Sequence, residues 1–479
     1  MKKGILAPIS SLPSPYGIGT FGKTAFSFCD FLKSSRQDSW QILPLGVTSY
    51  GDSPYQSPSA YAINPYFIDL DLLIEDGLID RLDVDGVDFG SGDKIDYEKL
   101  YLSRRKILKK ATKKVDTGVE YKRFLRENKY WLEEYALFMA IKEINGGKEW
   151  SAWDVGLKKR KREKISEFKK ENTELIEYYK KEQYLAFSQW FSLKSYANQN
   201  GIEIIGDMPI YNAYDSHDVW GAPRNYQLDR NLTPKFVAGV PPDAFTADGQ
   251  LWGNPLYNFD KIKADGYEFW VKKLEHQAKL YDVIRIDHFR AFEAYFAIPY
   301  GKPAKEGKWV KAPGEELFSV IKDRVKVDII AEDLGIITPA VRRLLRSLKF
   351  PNMRVLQFAD FKNSKHEYLP KNYPKNCIAY TGTHDNDTTR AWLDTLSAED
   401  KTRVQKIAQD TVTVFGLIKA LMSSKADRVI IPIQDYLLQG GEGRINYPGK
   451  DSGNWVYRIP QGVIDNKIII RTIRELSKR

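Results

Sequence analysis

Short apolar, often β-branched runs recur along the chain, each ending in Gly, Pro or an acid, with stretches of helical periodicity between them. Eight of these runs read as strands: Gly4–Ile9, Trp40–Leu45, Ile202–Ile205, Val283–Ile286, Val327–Ala331, Arg354–Phe358, Cys377–Thr381 and Arg428–Ile433. Helical spacing is expected over 23–36, 97–113, 121–144, 164–198, 267–280, 339–348 and much of 398–422. Apolar strands alternating with helices imply parallel pairing. Eight of them imply a closed (β/α)8 TIM barrel, and residues 1–479 are read as one such domain. A barrel of this kind needs about 250 residues. The surplus is expected as insertions on the face formed by the C-terminal strand ends: a mainly helical one over 66–200 and a loop-rich one over 209–280. The Gly-, Ser- and Pro-rich loop 46–65 carries Tyr50, Tyr55 and Tyr61, more aromatic surface than a plain linker needs.

Composition narrows the classes. The chain is 42% hydrophobic and 28% charged, as a globular protein is, with a formal net charge of +10. Much of the excess is Lys on helical stretches such as 158–164 and 169–181, which reads as a solvated surface. No nucleic-acid motif organises it, so no nucleic-acid partner is expected. Cys29 and Cys377 are the two cysteines. They exclude a disulfide framework and fit a reducing compartment. The apolar N-terminal run is short and broken by Pro8 and Pro13, and no stretch has transmembrane length. A soluble cytoplasmic chain without membrane or obligate protein partner is the expectation. The five His show no metal-ligand spacing, and no glycine-rich phosphate loop occurs. No metal or other cofactor is expected.

The candidate chemistry lies at the strand ends. In Arg285-Ile286-Asp287 the two charged residues stand two apart, on one face of a strand. Alone, that pattern fits a structural ion pair. In a barrel, however, Asp287, Glu332 and Asp385 all follow strands and meet at one mouth, beside Arg285 and His384. Three acids gathered without a task would repel one another to no gain. Carboxylates working without a metal suit glycosyl transfer. Arg285 would keep Asp287 ionised as nucleophile. Glu332, after the apolar run Val327–Ala331, would be raised by burial and serve as acid/base. Asp385 would hydrogen-bond sugar hydroxyls and favour a distorted ring.

Seven motifs carry a resemblance: Trp40–Gly46, Gly51–Ser57, Gly206–Tyr211, Leu251–Tyr257, Arg285–Arg290, Ala331–Gly335 and Gly382–Asp387. In this order they resemble the 4-α-glucanotransferases, the amylomaltase or disproportionating-enzyme family related to the α-amylases, over essentially the whole chain. The resemblance implies retaining transfer of α-1,4-glucan segments through a covalent glycosyl-enzyme. It implies Asp287 as nucleophile, Glu332 as acid/base and Asp385 as the stabilising third acid. Arg285, His384 and Asp207 would line the subsite where the bond breaks, and Tyr55 and Ser57 would contact the donor. Trp252 and Asn254 would cover the acceptor side, with Asp243 among the substrate contacts. Tyr50 would belong to a second glucan site. Ala244 stands where members often carry an aromatic residue. A hydrolase with the same acids remains the alternative, separable by its products.

Overall fold

The computed structural model describes residues 1–242, 248–450 and 452–478. Among them are twelve strands: β1 (Lys2–Leu6), β2 (Ser39–Gln41), β3 (Glu203–Met208), β4 (Phe236–Val240), β5 (Gln250–Pro255), β6 (Val283–Ile286), β7 (Ala294–Pro299), β8 (Lys308–Lys311), β9 (Asp328–Ala331), β10 (Asn352–Val355), β11 (Cys377–Tyr380) and β12 (Arg428–Pro432). Eight close a parallel barrel in the order β1-β2-β3-β6-β9-β10-β11-β12, and β12 returns to β1. This is the (β/α)8 barrel that the alternation of strands and helices predicts. Barrel strands are covered on both sides, by the packed interior and by the helical layer, so their residues are mostly apolar. All four residues of β6 and all five of β12 are buried.

Strand β3 shows how tightly the barrel packs. A Cβ on Gly206 would lie 2.1 Å from the ring of Tyr281. Glycine there lets Tyr281 lie flat against the strand, where its hydroxyl reaches the N–H of Leu45 at 3.4 Å.

Between β2 and β3 runs a mainly helical segment, with long helices Tyr97–Lys113, Val119–Ile144 and Thr173–Gln199. Trp190 joins it to the barrel. The indole is fully buried, donates to Leu280 O at 3.2 Å, and packs on Phe21 and Tyr281. The single helix expected over 164–198 is instead two, Arg162–Glu171 and Thr173–Gln199. Asn172 Nδ2 donates to Phe168 O and Thr173 Oγ1 to Lys169 O. These side chains compete for carbonyls at the end of the first helix, and the chain changes direction there.

The stretch 209–280, read as loop-rich, holds β4 and β5. With β7 and β8 they form an antiparallel sheet in the order β5-β4-β7-β8. These strands are short, and the pairing of β4 with β7 joins segments far apart in sequence, so local pattern understates them. Between the pairs Val237–Pro255 and Gly239–Leu251 the register shifts. Ala238 alone spans the same interval as Trp252, Gly253 and Asn254, so β5 bulges outward there. Among the described residues no helix is long and apolar enough to cross a membrane.

Candidate active site

The register of the barrel brings the acids together. On neighbouring strands β6 and β9, Ile286 stands beside Ala331. Asp287 and Glu332 each follow by one residue, at the same level of the mouth. The backbone around them interlocks: Glu332 N–H donates to Ile286 O, and Phe289 N–H to Glu332 O, both at 3.1 Å. The Glu332 carboxylate then accepts from His288 N–H at 2.6 Å and from Leu334 N–H at 3.0 Å. The His288 amide can aim this way because His288 adopts a left-handed backbone, φ 48°.

On the other side of β6, Arg285 stands beside Asp207 of β3. Arg285 Nη1 bonds both Asp207 oxygens, at 2.7 and 2.6 Å, and reaches Asp287 Oδ1 at 3.2 Å. Both Asp207 and Arg285 are almost wholly buried, whereas the Asp287 side chain keeps 28% exposure. The guanidinium is therefore first a partner of Asp207 and second a neighbour of Asp287. A fully buried ion pair needs such short geometry to offset its desolvation.

Asp207 leads on to the third acid. Tyr55 Oη donates to Asp207 Oδ2 at 2.9 Å and lies 2.9 Å from His384 Nε2. Its ring stacks on the imidazole, centroids 5.4 Å apart. His384 Nε2 is 3.2 Å from Asp385 Oδ2, and Asn446 Nδ2 donates to Asp385 Oδ1 at 2.7 Å. One connected network thus holds Asp287, Arg285, Asp207, Tyr55, His384 and Asp385.

The electrostatics separate the three acids. Burial raises Asp287, and Arg285 only partly opposes it, while Asp207, Glu332 and Asp385 raise it further. Burial also raises Glu332, against Arg285 and the two N–H donors. The expectation that Arg285 holds Asp287 ionised is thus incomplete: desolvation outweighs the cation. Asp385 goes the other way. Burial would raise it, but His384 and the bond from Asn446 hold it well below the ordinary carboxylate range. His384, despite burial, is raised by Asp385. His288 is pushed down to about 4 by burial and Arg290, and is neutral.

The remaining expected residues fall into two groups. Tyr55, Ser57 and Asp207 line one cavity with Tyr211 and Asn212. The Ser57 hydroxyl also accepts from Ser59 N–H at 3.2 Å, shaping its own loop. Trp252 points its ring at His288, edge to face at 4.8 Å. Asn254 is buried and donates to Asn212 O at 3.1 Å. Asp243, with Ala244, lies outside the described residues, and the Tyr50 side chain is likewise outside them.

Several residues went unanticipated: Gln56, His288, Asn446 and Trp455, whose ring packs 5.6 Å from Tyr55. Asn446 and Trp455 lie in the long loop after β12. Its segment Gly440–Gly449 is Gly-rich and carries Asn446, Tyr447 and Pro448, and that composition was the available signal. Among the described residues, no group of three His, Cys, Asp or Glu is placed to hold a metal ion.

Comparison with known proteins finds relatives along the whole chain. A family model described as 4-alpha-glucanotransferase matches residues 7–464. A 4-alpha-glucanotransferase of Clostridium butyricum is 46% identical over 97% of this chain and 98% of its own length. One from Thermus thermophilus is 43% identical over 99% and 98%. Among solved structures, the amylomaltase from Streptococcus agalactiae in complex with acarbose superposes with a TM-score of 0.96 at 40% identity, covering 99% of this chain and 98% of that one.

Proposed function

The chain belongs to the 4-alpha-glucanotransferase family, and from that premise we propose how its own residues carry out the family's reaction. The reaction is transfer of an α-1,4-glucan segment from a donor to the 4-hydroxyl of an acceptor glucan or glucose, with retention at C1. In our reading Asp287 attacks C1 of the sugar at the scissile bond. Glu332 gives its proton to the departing glycosidic oxygen. A glycosyl ester on Asp287 results. The acceptor 4-hydroxyl then attacks C1, the ester bond breaks, and Glu332 takes the hydroxyl proton. Two inversions leave the configuration unchanged.

One observation carries this assignment: Asp287 and Glu332 stand level on adjacent strands, interlocked through the His288 amide. Two carboxyls so placed share one proton more readily than they carry two charges, which suits a resting state with one acid and one nucleophile. Esterification removes the charge on Asp287. Glu332 then loses a repelling neighbour and keeps its two N–H donors, so its proton affinity falls when it must act as a base. Asp385, held anionic by His384 and Asn446, is suited to sugar hydroxyls on a ring carrying developing positive charge. Arg285, Asp207, Tyr55 and His384 shape the subsite around the reacting sugar. Ser57 borders the donor side, and Trp252 and Asn254 the acceptor side.

Maltotriose tests the reading. Transfer yields glucose and a ladder of longer maltodextrins with no gain in total reducing ends. Products only shorter than maltotriose, with reducing ends rising in step, would refute it. Asp287→Asn and Glu332→Gln should each lower kcat by about a hundredfold or more, with the Glu332 variant still binding maltodextrin by calorimetry. Full activity in either variant would overturn the assigned roles.

A further inference from the structure

Gln56 joins the two sides of this site. Its Nε2 donates to Trp252 O at 3.1 Å and to Asn254 Oδ1 at 3.1 Å. Its Oε1 accepts from Asn254 Nδ2 at 3.3 Å. Both partners belong to the bulge of β5, where three residues span the interval of one. A bulge leaves its extra backbone groups without ladder partners and turns them outward. Gly253, at φ 79°, makes the turn that points Trp252 O and the Asn254 amide the same way. Gln56 meets them there with both ends of its own amide. It is itself fixed, with Ser49 Oγ donating to its carbonyl at 2.9 Å and its N–H donating to Ser53 O.

The neighbours of Gln56 give this contact its meaning. Tyr55 bonds Asp207 and touches His384, on the catalytic network. Trp252 stands edge-on to His288, the residue after Asp287. Adjacent residues of one loop therefore hold the carboxylate network and the aromatic wall facing it. We propose that Gln56 is a positioning residue that fixes the Trp252 wall over the glycosyl-enzyme, and so sets whether a sugar hydroxyl or water receives the glycosyl group. This rests on the function proposed above. In both outcomes the C1–Oδ ester of Asp287 breaks and a new C1–O bond forms, with the proton going to Glu332. The two differ in the hydroxyl that supplies the oxygen. A fixed aromatic wall favours a stacked sugar over water.

The experiment uses maltotriose and the full chain. Transfer leaves the number of reducing ends unchanged, while hydrolysis adds one per event. In Gln56→Ala, total cleavage, read as initial glucose release, should stay within about twofold of the parent. The share of turnovers that create a new reducing end should rise about tenfold, the scale expected for losing two or three modest hydrogen bonds. Gln56→Glu, equal in size, covers the case in which Ala folds poorly. It sets an acceptor against Trp252 O and Asn254 Oδ1, and Asn254 cannot turn over without giving up Asn212 O. The same rise is expected there. Transfer and hydrolysis falling together, or an unchanged share in both single variants, would overturn the proposal. The parent's own product ladder reports separately on the function it rests on.

Discussion

At Asp287 two forces oppose each other, and their balance has a measurable consequence. Burial and three neighbouring acids raise the carboxyl; Arg285 lowers it, but not enough. A carboxyl raised in the folded chain binds more protons there than when unfolded. Stability therefore falls as pH rises from the ordinary Asp range through the raised folded value. Asp287→Asn removes that cost. At neutral pH the variant should be more stable than the parent by on the order of 1–2 kcal/mol, the gain fading below the ordinary Asp range, where both states are protonated. Urea titrations at two pH values check this. A parent as stable as the variant at neutral pH would mean that Arg285 does compensate Asp287 in full. The Asp385–His384 pair has the opposite sign at its acidic member. Its contribution is present above the ordinary Asp range and is lost as pH falls through the depressed value, or as pH rises through the raised value of His384.

Strands and their register do the work at the next scale. Arg285 and Asp207 meet because β3 and β6 pair in one register, and Asp287 and Glu332 because β6 and β9 do. A slip of one residue would turn each of these side chains to the other face. Gly206 sits within the first of these pairings, under Tyr281. Gly206→Ala should force strand and ring apart, costing about 1–3 kcal/mol or more by overpacking. It should lower activity too, since Asp207 is the next residue. Thermal unfolding and maltotriose assays on the same samples test both. A variant with the parent's midpoint would show that Tyr281 can move aside freely. The bulge of β5 is the other irregular element, and it turns Trp252 and Asn254 toward Gln56 instead of leaving them in the ladder.

The whole molecule is a barrel carrying a large helical segment, and the two are packed as one. Trp190 sits between them, bonded to Leu280 O and packed among Phe21 and Tyr281. Trp190→Ala should cost about 3–5 kcal/mol. Far-ultraviolet circular dichroism, dominated by helices, and loss of activity, which reports the barrel mouth, should fall together on heating. Activity lost well before the helical signal would mean that the two parts unfold separately.

The sequence by itself determined the barrel and where its acids gather. Eight apolar runs alternating with helices admit few closed arrangements, and acids placed just after such runs must gather at one end. Asp287, Glu332 and Asp385 were legible for that reason, and the aromatic loop 46–65 for its composition. What only the tertiary structure decided depends on distance across the fold. The chief partner of Arg285 is Asp207 and not Asp287 two residues on, because inter-strand register is invisible along the chain. The balance of burial against charge at Asp287 follows from everything packed around it. The pairs β4–β5 and β7–β8 join into one sheet only through the remote pairing of β4 with β7, and Asn446 reaches Asp385 from a loop 61 residues away. Local pattern fixes which residues can be strand, helix or acid; contacts closed by the fold fix which of them share a proton, a hydrogen bond or a substrate.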